Sequence, residues 1–355
     1  MNKKPTVVII DDSLLVRNIL SDTLSKKDEV TVIATGKTGM DCIDLAEKLK
    51  PDFIVLDIEM PIMDGLTALA EIKKRKLPSH VIMLSVLTQH GADATFKALE
   101  LGAVDFIPKP SSGNQFSPED IAAVLSLKIK GFSDSKLVSP EPISRPERTD
   151  RQINKSFQKP IQVDAIGIGT STGGPKALQT VFAGIPADFA KPIFVVQHMP
   201  AGFTKAFADR LNSLSKIHVK EAEQGDVVQA GTAYIAPGDY QMKVVTKGKD
   251  RLIELSHSEQ VNGHRPSIEV LFESLMESYG ADHLLSMIMT GMGKDGSHSI
   301  ANIHAKGGIT LAQNEATSVV YGMNRVAVEL GGIDFVLPVE ELVPKMIELL
   351  KSRGN

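Results

Sequence analysis

Five short runs rich in β-branched residues, at 6–10, 31–34, 53–56, 81–84 and 104–107, alternate with helical patterns between residue 5 and about residue 131. Runs this apolar must be covered on both faces, and a parallel sheet flanked by helices covers them that way. The alternation therefore predicts a doubly wound, five-stranded parallel α/β sheet in the order 2-1-3-4-5. Phe96, Leu99 and Glu100 belong to one of the intervening helices, with Gly102 as its C-terminal stop. Ser117-Pro118-Glu119-Asp120 reads as a helix start, with a capping serine, proline in the first turn and an acid at the third position.

Residues 132–160 break the pattern, with Pro140, Pro142, Pro146, Pro160, five serines and many charges but no apolar period. That is the chemistry of an extended, semi-flexible linker. A second α/β alternation follows over 161–350. Strands are expected at 165–169 and 192–197, and Phe203, Phe207 and Leu211 stripe one helix face. Between 226 and 260, Gly231, Gly238 and Gly248 punctuate short alternating runs, which predicts hairpins. A helix over 267–278 buries Ile268, Leu271, Phe272 and Leu275; a strand over 284–290 comes next, and a last helix over 339–351 covers the sheet. The expected architecture is two α/β domains, 5–125 and 161–350, the second with a mostly parallel sheet and a hairpin region.

At roughly 150 residues per domain, 355 residues suit two or three domains. A hydrophobic fraction of 42% with 23% charged residues excludes wholesale disorder. The single cysteine rules out a disulfide framework or a cysteine-based zinc site and suits a reducing compartment. With a net charge of −4, nothing global points to nucleic acid or an anionic membrane, and 161–355 shows neither a helix-turn-helix pattern nor a basic stripe. No apolar run approaches the roughly 18 residues that span a bilayer, so no membrane insertion is expected. After Lys3 and Lys4, residues 7–10 are too short an apolar run for a secretory signal. A soluble cytoplasmic protein is the expectation.

Asp11 and Asp12 end the first run and Asp57 ends the third. In the order 2-1-3-4-5, strands one and three flank the switch point where ligands bind. Three carboxylates converging there repel one another unless a hard cation such as Mg²⁺ joins them. Ser85 and Lys109 end the fourth and fifth runs on the same rim, where a lysine can pair with carboxylate or phosphate and a serine can bond a phosphoryl oxygen. For any one acid, capping a strand end beside a helix N-terminus is the plainer explanation. Five suitable side chains on one rim outweigh it.

The segments V-V-I-I-D-D-S, I-V-L-D-I-E-M-P-I-M-D-G, M-L-S and F-I-P-K-P resemble the receiver domain of bacterial response regulators, over about residues 5–125. The resemblance implies a flavodoxin-like receiver in which Asp57 accepts a phosphoryl group from a histidine kinase. It also implies that Asp11, Asp12 and Asp57 hold Mg²⁺, that Ser85 is the switch hydroxyl and that Lys109 is the phosphate partner. Asp64, in the Asp-Gly turn, reads as a helix-start residue. Pro108 departs from the commoner residue before the lysine, which alters the loop but keeps Lys109.

In the second half, Gly169-Thr170-Ser171-Thr172-Gly173 fits G-x-S-x-G, the strand-to-helix turn that exposes a nucleophilic serine. A dinucleotide fingerprint from Gly167 and Gly169 lacks its third glycine, at Thr172, and a Walker loop from Gly169 lacks its lysine, at Pro175. The strand expected next ends in His198, and the one over 284–290 leads into Gly291-Met292-Gly293-Lys294-Asp295-Gly296. Serine, histidine and aspartate at three strand ends are the parts of a triad: nucleophile, base and orienting carboxylate. Spacing alone leaves alternatives open. Gly-Ser turns are common loop material, an Asp in a glycine-rich loop is usually a turn former, and His264, His298 and His304 are rival bases.

The motifs G-I-G-T-S-T-G-G-P, V-V-Q-H-M-P-A-G-F-T, A-Y-I-A-P-G-D, H-R-P-S-I, M-T-G-M-G-K-D-G and A-Q-N-E-A-T-S-V-V-Y-G-M resemble, in order, the catalytic domain of the chemotaxis methylesterase CheB. They spread over about 160–345. This resemblance implies a triad of Ser171, His198 and Asp295, with the backbone N–H groups of Thr172 and Met292 as the oxyanion hole. Lys294 stands where many family members carry Asn. The implied reactions are hydrolysis of glutamate γ-methyl esters and deamidation of certain glutamines on methyl-accepting chemotaxis receptors, both through a glutamyl-serine intermediate. The implied phosphodonor is the chemotaxis histidine kinase CheA. Mg²⁺ serves receiver phosphorylation, and hydrolysis needs no cofactor. The expected control is that the unphosphorylated receiver blocks receptor access until Asp57 is phosphorylated. Two other classes compete: a receiver-gated hydrolase of an unrelated ester or amide, and a non-catalytic receiver-linked adaptor. An adaptor has no reason to keep Ser171, His198 and Asp295 together in matching motifs.

Overall fold

The computed structural model describes residues 4–26, 29–86, 88–109, 118–136 and 162–351. They form two compact units, divided at Val138, each built on its own sheet. In the first, β1 (Thr6–Ile10), β2 (Thr31–Gly36), β3 (Phe53–Asp57), β4 (His80–Ser85) and β5 (Asp105–Pro108) pair in parallel in the order β2-β1-β3-β4-β5. Phe53, Ile54, Val55 and Leu56 of β3 are all buried, as a central strand covered by helices requires.

The helices are α1 (Leu14–Lys26), α2 (Gly39–Leu49), α3 (Gly65–Lys74), α4 (Gln89–Glu100) and α5 (Pro118–Lys136). α1 packs on α5, while α3 packs on both α2 and α4. Local chemistry sets their starts: Thr38 and Asp41 make a reciprocal capping box on α2, and the Asp64 carboxylate accepts the Thr67 N–H to cap α3. Ser117 lies outside the described residues.

The linker expected from residue 132 does not start there. Helix α5 continues to Lys136, so residues 132–136 are helical. The reason is Phe132, which is 3% exposed and packs its ring 5.9 Å from Phe53 and 6.0 Å from His80. Burying an aromatic ring extends a helix past the point where polar composition predicts its end. The rest of that stretch, 137–160, lies outside the described residues.

In the second unit, β6 (Ala165–Thr170), β7 (Ile193–Gln197), β8 (His218–Glu221) and β9 (Thr232–Ile235) precede an antiparallel hairpin of β10 (Gln241–Lys247) and β11 (Asp250–Ser256). Then come β12 (Leu284–Ile288), β13 (Ile309–Gln313) and β14 (Phe335–Leu337). All but the hairpin form one parallel sheet ordered β14-β13-β12-β6-β7-β9-β8. The hairpin expectation for 226–260 therefore holds for β10 and β11 but not for β9, which lies parallel to β7 and β8. Its Tyr234 ring stacks 5.7 Å from Phe194 of β7, a partner distant in sequence that local alternation cannot reveal.

Helices α6 (Gly174–Gly184), α7 (Thr204–Leu214) and α11 (Val339–Lys351) pack together as one layer. Helices α8 (Ile268–Tyr279), α9 (Ser297–Ala305) and α10 (Met323–Glu329) form another. Ile268, Leu271, Phe272 and Leu275 of α8 are fully buried against the sheet and the hairpin. Strands leave β6 in opposite directions, to β7 on one side and β12 on the other. The carboxyl end of β6 is thus the switch point, the place where an open α/β sheet exposes a crevice. No described helix is long and apolar enough to cross a membrane.

Candidate functional site

The first unit gathers acids at its own switch point, between β1 and β3. Asp11 and Asp57 are buried, Asp12 is exposed, and one carboxylate oxygen from each lies within 4.8 Å of the other two. Lys109 Nζ reaches Asp57 Oδ2 at 2.8 Å and Asp11 Oδ2 at 3.0 Å. Pro108 pairs with Ser85 in the β4–β5 register and the Lys109 N–H donates to the Ser85 carbonyl at 2.7 Å, so the proline does not divert the lysine.

Burial pushes the Asp57 carboxyl up to about 6, although Lys109 opposes the rise. Asp11 is raised for the same reason. Burial pulls Lys109 down, but Asp57 and Asp11 together hold it above the ordinary lysine range. One ammonium cannot neutralise three carboxylates. The set is all oxygen, two donors buried and one open to solvent, which suits a hard divalent cation that keeps some of its water. The Ser85 hydroxyl, at the end of β4, donates to the Gly91 carbonyl at 3.1 Å and accepts from Thr95 Oγ1 at 2.7 Å.

In the second unit, Ser171 follows β6 directly. Its N–H donates to the Thr290 carbonyl (3.0 Å), and its own carbonyl accepts from the Gly174 N–H (2.8 Å). That tight turn puts Ser171 before the N-terminus of α6, where the helix dipole favours developing negative charge. The loop after β12 comes so close that a Cβ on Gly291 would sit 2.8 Å from the Ser171 Cβ. Only glycine permits the approach. Thr172 and Met292 lie on the two backbone segments that meet at this point, one after Ser171 and one after Gly291. Gln197 ties the neighbouring strand end in: its buried amide donates to the carbonyls of both Ser171 and His198, each at 3.0 Å.

His198 Nε2 lies 2.8 Å from Asp295 Oδ2. Its Nδ1 is buried and has no hydrogen-bond partner among the described residues, so that nitrogen is the one available to take a proton. Asp295 is 1% exposed and caps α8, accepting from the Ile268 N–H (2.7 Å), Ser267 Oγ (2.7 Å) and Asn262 Nδ2 (2.9 Å). Burial would raise its pKa, but His198, Asn262 and Ser267 outweigh that and hold the carboxyl well below the usual range. It stays ionised, a fixed negative charge beside the His198 ring.

Two of the rival histidines go elsewhere and the third joins the site. His298 is exposed on α9, His304 pairs with Asp334 at 3.1 Å, and the His264 ring stacks on the His198 ring. Lys294 is exposed, and its carbonyl accepts the Ser297 N–H. Sequence reasoning assigned no role to Asn262, Ser267, Gln197 or Glu269, although Gln197 and Ser267 stand inside two of the family motifs. Asn262-Gly263 carries a turn signal, but no local pattern shows that it reaches Asp295.

Residues 166–346 match the family described as CheB methylesterase, and residues 7–118 match the response regulator receiver domain. A Pyrococcus horikoshii protein named protein-glutamate methylesterase/protein-glutamine glutaminase is 40% identical over 365 residues, covering 100% of this chain and 97% of the relative. A like-named protein of Archaeoglobus fulgidus is 41% identical, covering 98% of this chain and 99% of its own. Among solved structures, the CheB methylesterase catalytic domain of Thermotoga maritima is 39% identical with a TM-score of 0.51; the match covers 53% of this chain and 100% of that one.

Proposed function

This chain belongs to the CheB methylesterase family, with a response-regulator receiver at its front, and from that premise we propose that it is a phosphorylation-controlled serine hydrolase. Its substrates are glutamate γ-methyl esters, and certain glutamines, on methyl-accepting chemotaxis receptors, and its task is chemotactic adaptation in the cytoplasm. The observation that carries the reading is the His198–Asp295 pair, 2.8 Å apart beside the Ser171 turn, the histidine just after β7 and the aspartate in the loop before α9.

Ser171 Oγ attacks the γ-carbonyl carbon while His198 Nδ1 takes its proton. The N–H groups of Thr172 and Met292 hold the oxyanion, in the field of the α6 N-terminus. His198, as imidazolium against the Asp295 carboxylate, then gives its proton to the ester oxygen or amide nitrogen as the bond to the γ-carbon breaks, and methanol or ammonia leaves. Water repeats the sequence on the glutamyl-serine ester and frees the glutamate. Nothing in these steps calls for a cofactor.

In the receiver, Asp57 accepts the phosphoryl group, with the kinase CheA as donor. Asp11, Asp12 and Asp57 would hold Mg²⁺, which would supply positive charge against the phosphoryl oxygens. Lys109 pairs with the new phosphate, and Ser85 exchanges its bonds to α4 for a phosphoryl oxygen.

The test is methanol release from methylated receptor membranes by wild type and Ser171→Ala, each with and without acetyl phosphate plus Mg²⁺. Faster release by the phosphorylated wild type, with Ser171→Ala lower by about 10³-fold or more, is the expected result. Equal release by the two proteins removes Ser171 as nucleophile. A wild type that hydrolyses model esters but no receptor ester points to a different substrate.

A further inference from the structure

Val261 and His264 exchange backbone hydrogen bonds, 3.1 and 3.0 Å long, across a two-residue turn with Asn262 (φ +54°) and Gly263 (φ +78°) at its tip. Two successive left-handed residues are what an Asn-Gly turn accommodates. The turn is anchored at its base: Gln241 Nε2 donates to the His264 carbonyl at 3.0 Å, and Arg265 Nε donates to Asp239 Oδ1 at 3.0 Å. Arg265 Nη1 also reaches the carbonyls of His257 and Ser258.

From this base the turn touches two triad members. The Asn262 amide donates to Asp295 Oδ1 at 2.9 Å, and the His264 ring lies flat on the His198 ring, centroids 3.6 Å apart and planes 11° from parallel.

We propose that the 261–264 turn is a positioning device for the triad, and that Asn262 and His264 are its positioning residues. The proposal rests on the triad reading above. Asp295 Oδ2 serves His198 and the Ile268 N–H, while Oδ1 takes Asn262 and Ser267. Asn262 thereby opposes rotation of the carboxylate. His198 is held at one edge by Asp295, a contact about which an imidazole can still tilt. The stacked His264 face removes the tilt and keeps the ring in the plane that leaves Nδ1 open for the serine proton. Stacking asks only for a flat ring, so His264 acts through His198.

The experiment uses the full chain with Asn262→Ala, His264→Ala and His264→Phe. Two readouts are taken: kcat and KM for methanol release, and the rate at which a fluorophosphonate labels Ser171, which does not depend on a methyl-ester substrate. Asn262→Ala and His264→Ala are expected to lower kcat and the labelling rate by about 10-fold, with KM within about twofold, the scale of one hydrogen bond to a charged group or one aromatic contact. His264→Phe is expected to return to within about threefold of wild type. Ala variants that label at the wild-type rate overturn the proposal. So does a His264→Phe protein as slow as His264→Ala, which makes His264 a proton carrier. A wild type that is labelled but releases no methanol refutes the receptor substrate alone, because labelling still judges the turn.

Discussion

Glu269 stands in the first turn of α8, behind Asp295, where its Oε2 accepts the Gly296 N–H at 3.0 Å. Burial pushes its carboxyl from 4.5 up to about 7, and the negative charges of Asp295 and Glu273 add to the rise. In the unfolded chain the same group ionises near 4.5. Between these values the folded protein keeps a proton that the unfolded chain has released, so stability falls as pH rises, by about 1.4 kcal/mol per pH unit. A rise from 4.5 to about 7 corresponds to about 3 kcal/mol, fully lost by about pH 8. Glu269→Gln keeps an oxygen for the Gly296 N–H and removes the charge.

The variant is therefore expected to match wild type near pH 4.5 and to exceed it by about 3 kcal/mol at pH 8. Urea unfolding followed by tyrosine emission measures this. The chain has no tryptophan, and its four tyrosines, Tyr234, Tyr240, Tyr279 and Tyr321, all lie in the second unit, so the signal reports that unit alone. An advantage for Gln that does not grow with pH, or a variant less stable than wild type at pH 8, refutes the argument.

Gly291→Ala places a Cβ 2.7 Å from Met323 Sδ and 2.8 Å from the Ser171 Cβ. The methionine can move aside, but Ser171 is tied to Thr290, so a loss of about 1–3 kcal/mol in stability should come with a larger loss of fluorophosphonate labelling. Unchanged labelling contradicts the close approach. Asp57→Asn should abolish the response of methanol release to acetyl phosphate plus Mg²⁺, since Asn cannot form the acyl phosphate; a retained response moves the phosphoacceptor to another residue.

The apolar runs announce both parallel sheets because burial on two faces must be written locally, in the strand itself. Gly169 to Gly173 announce the serine turn, and Asp11, Asp12 and Asp57 the acidic rim, because strand ends and turn residues are also local chemistry. The family motifs carried the site residues further than spacing did, since spacing left four histidines in competition. Which histidine meets Asp295 depends on the register of β7 beside β6 and on the loop after β12, strands about a hundred residues apart that only folding brings together. The parallel place of β9, the helical run to Lys136 and the reach of Asn262 to Asp295 belong to the same class. So does the proton on Glu269: its affinity is set by burial and by the charges packed around it, and both exist only once the chain has folded.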